Sequence, residues 1–287
     1  LEPIIEFEAE LKKRVHEVDE YIRRYFEQMD LPPGAAILEL KEAMFYSAGS
    51  GGKRFRPVLA LLVGELFSVP SMRLLPFAAA VEFVHTYSLI HDDLPCMDND
   101  DFRRGLPTNH KVYGETTALL AGDALLTEAF LAVANGYQED GPLAAQLCGL
   151  LSRAAGVRGM VGGQALDLKA NNLSLEELTH LHNLKTGRMI QVATEGAALI
   201  CKTSPAERER LAKFGQYLGL AFQVADDILD HGEKDQEARS FTGLLGVEGA
   251  KTYLQQVSDQ ALGELRGISA RSPILEHMIL FNRQRQK

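Results

Sequence analysis

The chain has 287 residues, 46% of them hydrophobic, which is enough to bury a sizeable core in one large domain. Its formal net charge of −9 argues against a general nucleic-acid binder, because phosphate-backbone binding needs a broad basic face. Three scattered cysteines, Cys96, Cys148 and Cys201, form no CxxC pair, so neither a disulfide nor a zinc framework is expected and a reducing cytoplasm is the natural home.

In chain order, residues 3–29 read as a charged amphipathic helix with Pro3 in its first turn, closed by Leu31-Pro32-Pro33-Gly34. A second helix spans 35–48 and stops at Ala-Gly-Ser-Gly-Gly, 48–52. The run Lys53-Arg54-Phe55-Arg56-Pro57 then gathers three cations beside glycine backbone, a plausible anion cradle or a solvated basic turn. Helices follow at 57–67, 71–92, 115–135 and 141–170, the last broken near Gly156. A capping box, Ser174 with Glu177, starts a helix running to about 200, and Ser204-Pro205 with Glu207 opens another reaching Asp230. After a polar loop at 231–243, helices at 246–265 and 272–283 end the chain. No strand, repeat, interdomain linker or leader-like segment stands out in these residues, and no stretch of 18 uninterrupted apolar residues occurs among them. An all-α bundle of one domain, 1–287, without a membrane span, is therefore expected.

Chemistry concentrates in two acidic stretches. Residues 92–105, DDLPCMDNDDFRRG, carry five aspartates followed by Arg103 and Arg104. Clustered carboxylates suit a hard divalent cation that also binds substrate phosphate, and arginines suit the phosphate itself. On a helix, His85, Ser88 and Asp92 share one face, while Pro95 forces a turn that delivers Asp98. In QVADDILD, Gln223, Asp226 and Asp230 form one helical stripe with Asp227 alongside. Two such clusters suggest two walls of one cavity. His85 taken alone reads as a core histidine; its placement seven residues before Asp92 on the same helix face favours a site role. Gln164 and Asp167 lie one turn apart after Gly162-Gly163, where close helix packing is the competing reading. Gly187 after Lys185-Thr186 costs about 1 kcal/mol in mid-helix, so a packing or site demand is expected there.

Five stretches in order, GGKRFRP at 51–57, DDLPCMDNDDFRRG at 92–105, GGQALDL at 162–168, KTG at 185–187 and QVADDILD at 223–230, resemble the trans-prenyl diphosphate synthases over about residues 40–260. The resemblance implies an all-α isoprenoid-synthase bundle around a deep apolar cavity, a homodimer, and Mg²⁺ as cofactor, roughly three ions per site with substrate bound and Mn²⁺ as a substitute. It assigns Asp92, Asp93 and Asp98, with Asp226, Asp227 and Asp230, to metal. Lys53, Arg56, His85 and Arg104 go to isopentenyl diphosphate; Arg103, Lys185, Thr186 and Gln223 go to the allylic diphosphate and its departure. Asp92, Asp93, Arg103, Lys185, Thr186 and Gln223 make up the catalytic set. Tyr87 and Ser88, five and four residues before Asp92, are the expected chain-length determinants, and an aromatic there with the longer DDLPCMD spacing goes with a C15 product in bacterial enzymes of the family. Geranylgeranyl and geranyl synthases are the alternatives, followed by a terpene cyclase, a non-catalytic subunit or a purely structural bundle. The family's longer cationic loop after the second motif has no clean counterpart in HGEKDQEARSFTGLLG, where Lys234 and Arg239 are the cations, so no site residue is assigned at 231–243.

Overall fold

A computed structural model of the chain describes residues 2–231 and 239–284, apart from the side chains of 2–6 and 284. It is helical throughout its core and divides into two compact units, Leu1–Leu61 with Ser71–Cys148, and Leu62–Pro70 with Gly149–Lys287.

The first unit holds α1 (Glu2–Glu27), α2 (Ala35–Ala48), the start of α3 (Phe55–Leu66), α4 (Ser71–Asp92), α5 (Asn109–Tyr113), α6 (Glu115–Gly136) and the first half of α7 (Gly141–Ala155). Its centre is α4, which is apolar all round and therefore buried on every side from Leu74 to Val84, with Glu82 the one charged residue in that run. Glycines on α6 let α4 come close. A Cβ on Gly136 would meet Pro76 Cβ at 2.3 Å, and one on Gly122 would meet His91 Nε2 at 2.1 Å. Pro76 sits inside α4 and removes one helical hydrogen bond, so its ring needs the gap that Gly136 leaves.

The second unit comprises the rest of α3 and α7, then α8 (Met160–Asp167), α9 (Leu175–His182), α10 (Arg188–Ile200), α11 (Pro205–Leu229), α12 (Phe241–Arg266) and α13 (Pro273–Gln284). Here α11 is central, packed on α10 and α12 around Leu178, Leu220, Val224, Phe241 and Leu254. Both expected capping boxes form: Ser174 and Ser204 accept from the backbone of Glu177 and Glu207, whose carboxylates answer the cap N–H groups. Each such cap stabilises its helix by about 1 kcal/mol.

Several expectations need correction. The reading that found no strand missed a minimal hairpin, β1 (Phe102–Arg103) paired with β2 (Leu106–Pro107), and also missed the five-residue α5. The helix expected from 174 to 200 is interrupted by a π-helical turn at Asn183–Gly187, the Lys-Thr-Gly segment itself. Helix α3 starts at Phe55, ahead of Pro57, and α12 starts at Phe241 but breaks at Gly246, whose φ of 68° no helix accommodates. Among the described residues, α6 is long and apolar enough to cross a membrane. Asp123 and Glu128 interrupt its apolar run, and Ala118, Ala121, Leu125 and Ala129 are buried, in keeping with its packing on α4.

Candidate active site

In the first unit, Gly51 and Gly52 have positive φ and bring the chain into the cationic run. Arg54 also has a positive φ, of 45°, and its side chain turns inward, while Lys53 is exposed and Arg56 half-buried. Its guanidinium is fully buried, donating from Nε to Asp19 Oδ1 at 2.8 Å, from Nη1 to Glu82 Oε1 at 2.7 Å and from Nη2 to the Ala48 carbonyl at 2.6 Å. The sequence reading had counted Arg54 with the anion cradle. Glu82, a lone carboxylate in an apolar helical run, was the signal that could have found its partner.

Arg56 is half-buried, and its Nε has no partner among the described groups. Burial lowers its pKa to about 10, opposed by the attraction of Glu82 and assisted by repulsion from Arg104. His85 lies one turn beyond Glu82. Desolvation, then Arg56, Arg104, Arg103 and Arg54, push its pKa well below the usual imidazole value, so it is neutral at pH 7 and offers one N–H donor. The unpartnered Arg56 Nε, beside a neutral imidazole and further guanidinium groups, is suited to meeting an anion.

The hairpin separates its two arginines. Arg104 and Gly105 are the central turn residues, both with positive φ as a type I′ turn requires, so Arg103 on the strand and Arg104 at the tip take different partners. Arg104 Nη1 donates to the Gly51 carbonyl. Arg103 instead pairs with Asp93 at 2.6 Å and with Asp100 at 3.3 Å. Asp93 is buried, which raises its carboxyl pKa, and Arg103 counters that shift. Asp92 ends α4, and the Asp98 amide donates to the Asp92 carbonyl at 2.8 Å, so Pro95 does produce the turn that returns Asp98 to the helix end. A cavity of about 30 Å³ lies among Thr86, Asp93, Arg103, Arg104 and Asn109; the buried Thr86 hydroxyl on its wall has no partner among the described groups. Tyr87 is buried beneath the motif, edge-on to His91 at 5.7 Å, with its hydroxyl pKa raised to about 12 by burial and then by Asp92. Ser88 turns back on its helix, donating to the His85 carbonyl.

The second unit assembles the other expected residues. Lys185 Nζ lies 2.5 Å from Asp167 Oδ2, and Arg239 donates to the Asp167 carbonyl at 2.9 Å. Thr186 Oγ1 donates to Gln223 Oε1 at 3.4 Å, and Gln223 Nε2 donates to Asp227 Oδ1 at 3.0 Å. The other oxygen of Asp227 accepts the Phe241 N–H at 2.8 Å, and its side chain is buried. Asp226 on α11 and Asp230 at its C-terminal cap are both partly exposed. The glycines here serve close packing: a Cβ on Gly163 would meet the Lys185 nitrogen at 2.3 Å, and one on Gly219 would meet Gly187 Cα at 2.9 Å. The π-turn is where Gly187 meets the demand expected of it. Lys234 lies outside the described residues.

The donor set fits Mg²⁺. Among the described residues no three acidic or metal-binding side chains are gathered closely enough to hold an ion alone. Mg²⁺ usually takes one or two carboxylates and completes its shell with water and substrate phosphate, so these hard oxygens suit an ion that arrives with a diphosphate.

Cationic, partly desolvated donors and two aspartate motifs on a helical fold suit metal-assisted chemistry on diphosphate groups. Residues 38–241 match the polyprenyl synthetase family model. The chain is 38% identical over 281 residues to a farnesyl diphosphate synthase of Bacillus subtilis, covering 92% of this chain and 93% of that protein. A farnesyl diphosphate synthase of Geobacillus stearothermophilus is 42% identical over 273 residues, 89% of this chain and 90% of its own length. The crystal structure of an FPP/GFPP synthase from Zymomonas mobilis aligns with a TM-score of 0.87 at 38% identity, covering 95% of this chain and 98% of that one. The chain belongs to the polyprenyl synthetase family, whose members are generally Mg²⁺-dependent, and is a trans-prenyltransferase.

Proposed function

We propose that this prenyltransferase joins isopentenyl diphosphate to dimethylallyl and then geranyl diphosphate, giving farnesyl diphosphate. The observation that carries the C15 product is Tyr87, buried five residues before Asp92 and backed by His91, together with the longer DDLPCMD motif. The names of the bacillar relatives support the same product. Geranylgeranyl and geranyl synthases, the alternatives, would need a different residue on that wall.

In this reading Lys53, Arg56, His85 and Arg104 bind isopentenyl diphosphate, supported by the vacant Arg56 Nε and the neutral imidazole. Lys185, Thr186, Gln223 and Arg103 bind the allylic diphosphate and stabilise it as it departs. Asp92, Asp93 and Asp98, with Asp226 and Asp230, hold Mg²⁺, roughly three ions in all, and Mn²⁺ substitutes. Asp227 was grouped with these ligands; its two internal hydrogen bonds support a bracing part beside Asp226. When bound, the metal neutralises charge building on the leaving diphosphate. The C1–O bond of the allylic substrate breaks, and the electron pair leaves with diphosphate. The alkene of isopentenyl diphosphate then bonds to C1, and the proton it loses goes to the released diphosphate. The reaction requires that water be excluded, since it would trap the cation.

We read the chain as one catalytic domain over 1–287, working as a homodimer in the cytoplasm. Exposed Leu119, Leu120 and Leu131 on α6 support a dimer face, and three free cysteines support a reducing compartment. The test is incubation with Mg²⁺, isopentenyl diphosphate and each allylic diphosphate, followed by dephosphorylation and sizing of the alcohol. Farnesol as the main product is expected; C20 or C10 alcohol would replace this reading with an alternative.

A further inference from the structure

We infer that Arg54 and Asp19 form a positioning device for the isopentenyl diphosphate subsite, a proposal that rests on the function proposed above. The run Lys53-Arg54-Phe55-Arg56 puts three cations in four residues, and like charges repel in the absence of an anion. Arg54 leaves that run. At φ 45° it turns its guanidinium into the core, where each of its three nitrogens donates to a different part of the unit. Asp19 comes from α1, Glu82 from α4, and the Ala48 carbonyl is one of those left without a helical partner at the end of α2. One side chain therefore ties the loop bearing Lys53 and Arg56 to three helices.

Glu82 precedes His85 by one helical turn, so the same tie sets the loop against the imidazole. The negative charge of Glu82 also acts on Arg56 and Arg104, holding the remaining cations together when no diphosphate is present. Arg54 touches no substrate in this scheme; it fixes where its neighbours do. A planar fork with three separated nitrogens is required, and a lysine keeps the charge but cannot span Asp19, Glu82 and Ala48 at once. A buried ion pair that merely stabilised the fold would show no preference between substrates.

That preference is the test. Breaking a buried pair can unfold a protein, so Arg54→Lys is paired with Asp19→Asn, whose side chain is 38% exposed and whose loss leaves the Arg54–Glu82 bond intact. In folded Arg54→Lys, KM for isopentenyl diphosphate should rise about tenfold while KM for geranyl diphosphate moves less than about twofold. Asp19→Asn should shift the same ratio in the same direction by about threefold. Equal rises in both KM values, or no change in either for Asp19→Asn, would overturn the positioning role alone. A wild-type chain that turns over neither substrate would overturn the functional reading, and this one with it.

Discussion

The Arg104 guanidinium occupies the space in which a side chain on Gly52 would stand: a Cβ there would lie 2.7 Å from Arg104 Cζ. The glycine of GGKRFRP is thus set by an arginine of DDLPCMDNDDFRRG, and the φ of 119° at Gly52 would strain any other residue as well. Gly52→Ala should displace Arg104 and raise KM for isopentenyl diphosphate about tenfold, with a stability cost of about 1–3 kcal/mol. Steady-state kinetics with each substrate varied, beside a thermal melt, checks both. His85→Ala should move the same KM more than the allylic one, and equal effects would remove His85 from the subsite.

Tyr87 is packed edge-on against His91, and His91 in turn rests where Gly122 leaves room on α6. In the proposed reading, truncating the ring enlarges the space for the growing chain. Tyr87→Ala should shift the product toward C20, read by chromatography of the dephosphorylated alcohols. An unchanged C15 product would rule out Tyr87 as the limit on chain length.

The two neighbouring aspartates of α11 differ in their surroundings, and their substitutions should differ too. Asp227 accepts from Gln223 and Phe241, so Asp227→Asn keeps acceptor capacity for Phe241 and should leave the Mg²⁺ concentration for half-maximal rate within about threefold of wild type. Asp226→Asn removes a hard charged oxygen and should raise that concentration by about tenfold or more, with a large loss of kcat. Titrating Mg²⁺ at fixed substrate separates the two. Equal metal dependence would place both carboxylates on the metal.

His182 is buried against Phe241, with ring centroids 5.3 Å apart, and desolvation lowers its pKa from 6.5 to about 4 against the opposing pull of Asp167. Since the folded pKa lies below the unfolded one, the unfolded chain binds the proton first as pH falls. The stability from burying a neutral ring is therefore complete above pH 6.5 and is lost progressively toward about pH 4. His182→Phe keeps a ring against Phe241 and does not titrate. Denaturant melts from pH 7 to 4 should show a shallower loss in the variant, by on the order of 3 kcal/mol at most. Parallel curves would mean that His182 titrates alike in both states.

Helix starts with a capping side chain were legible because the cap acts within four residues, as Ser174 with Glu177 and Ser204 with Glu207 demonstrate. The aspartate motifs and the order of the five matching stretches were legible for a related reason: the residue types themselves carry the chemistry. The β1–β2 hairpin was not, since two-residue strands have no period to detect, and α5 is too short for one. The π-turn at Asn183–Gly187 was signalled only by a glycine in mid-helix; the residues packed against it, Gly219 on Gly187 and Gly163 on Lys185, lie on other helices.

The sequence by itself determined the helical class, the family and which acids, cations and aromatic residues the site draws on, because composition, caps and motif spacing are local properties of the chain. Only the tertiary structure decided the direction each residue faces. Of the three cations in Lys53-Arg54-Phe55-Arg56, one is buried on Glu82; of two adjacent arginines, one binds Asp93 and the other Gly51; of two adjacent aspartates, Asp227 is buried and Asp226 partly exposed. Those choices rest on backbone φ at single residues and on partners many positions away, and both are settled by packing.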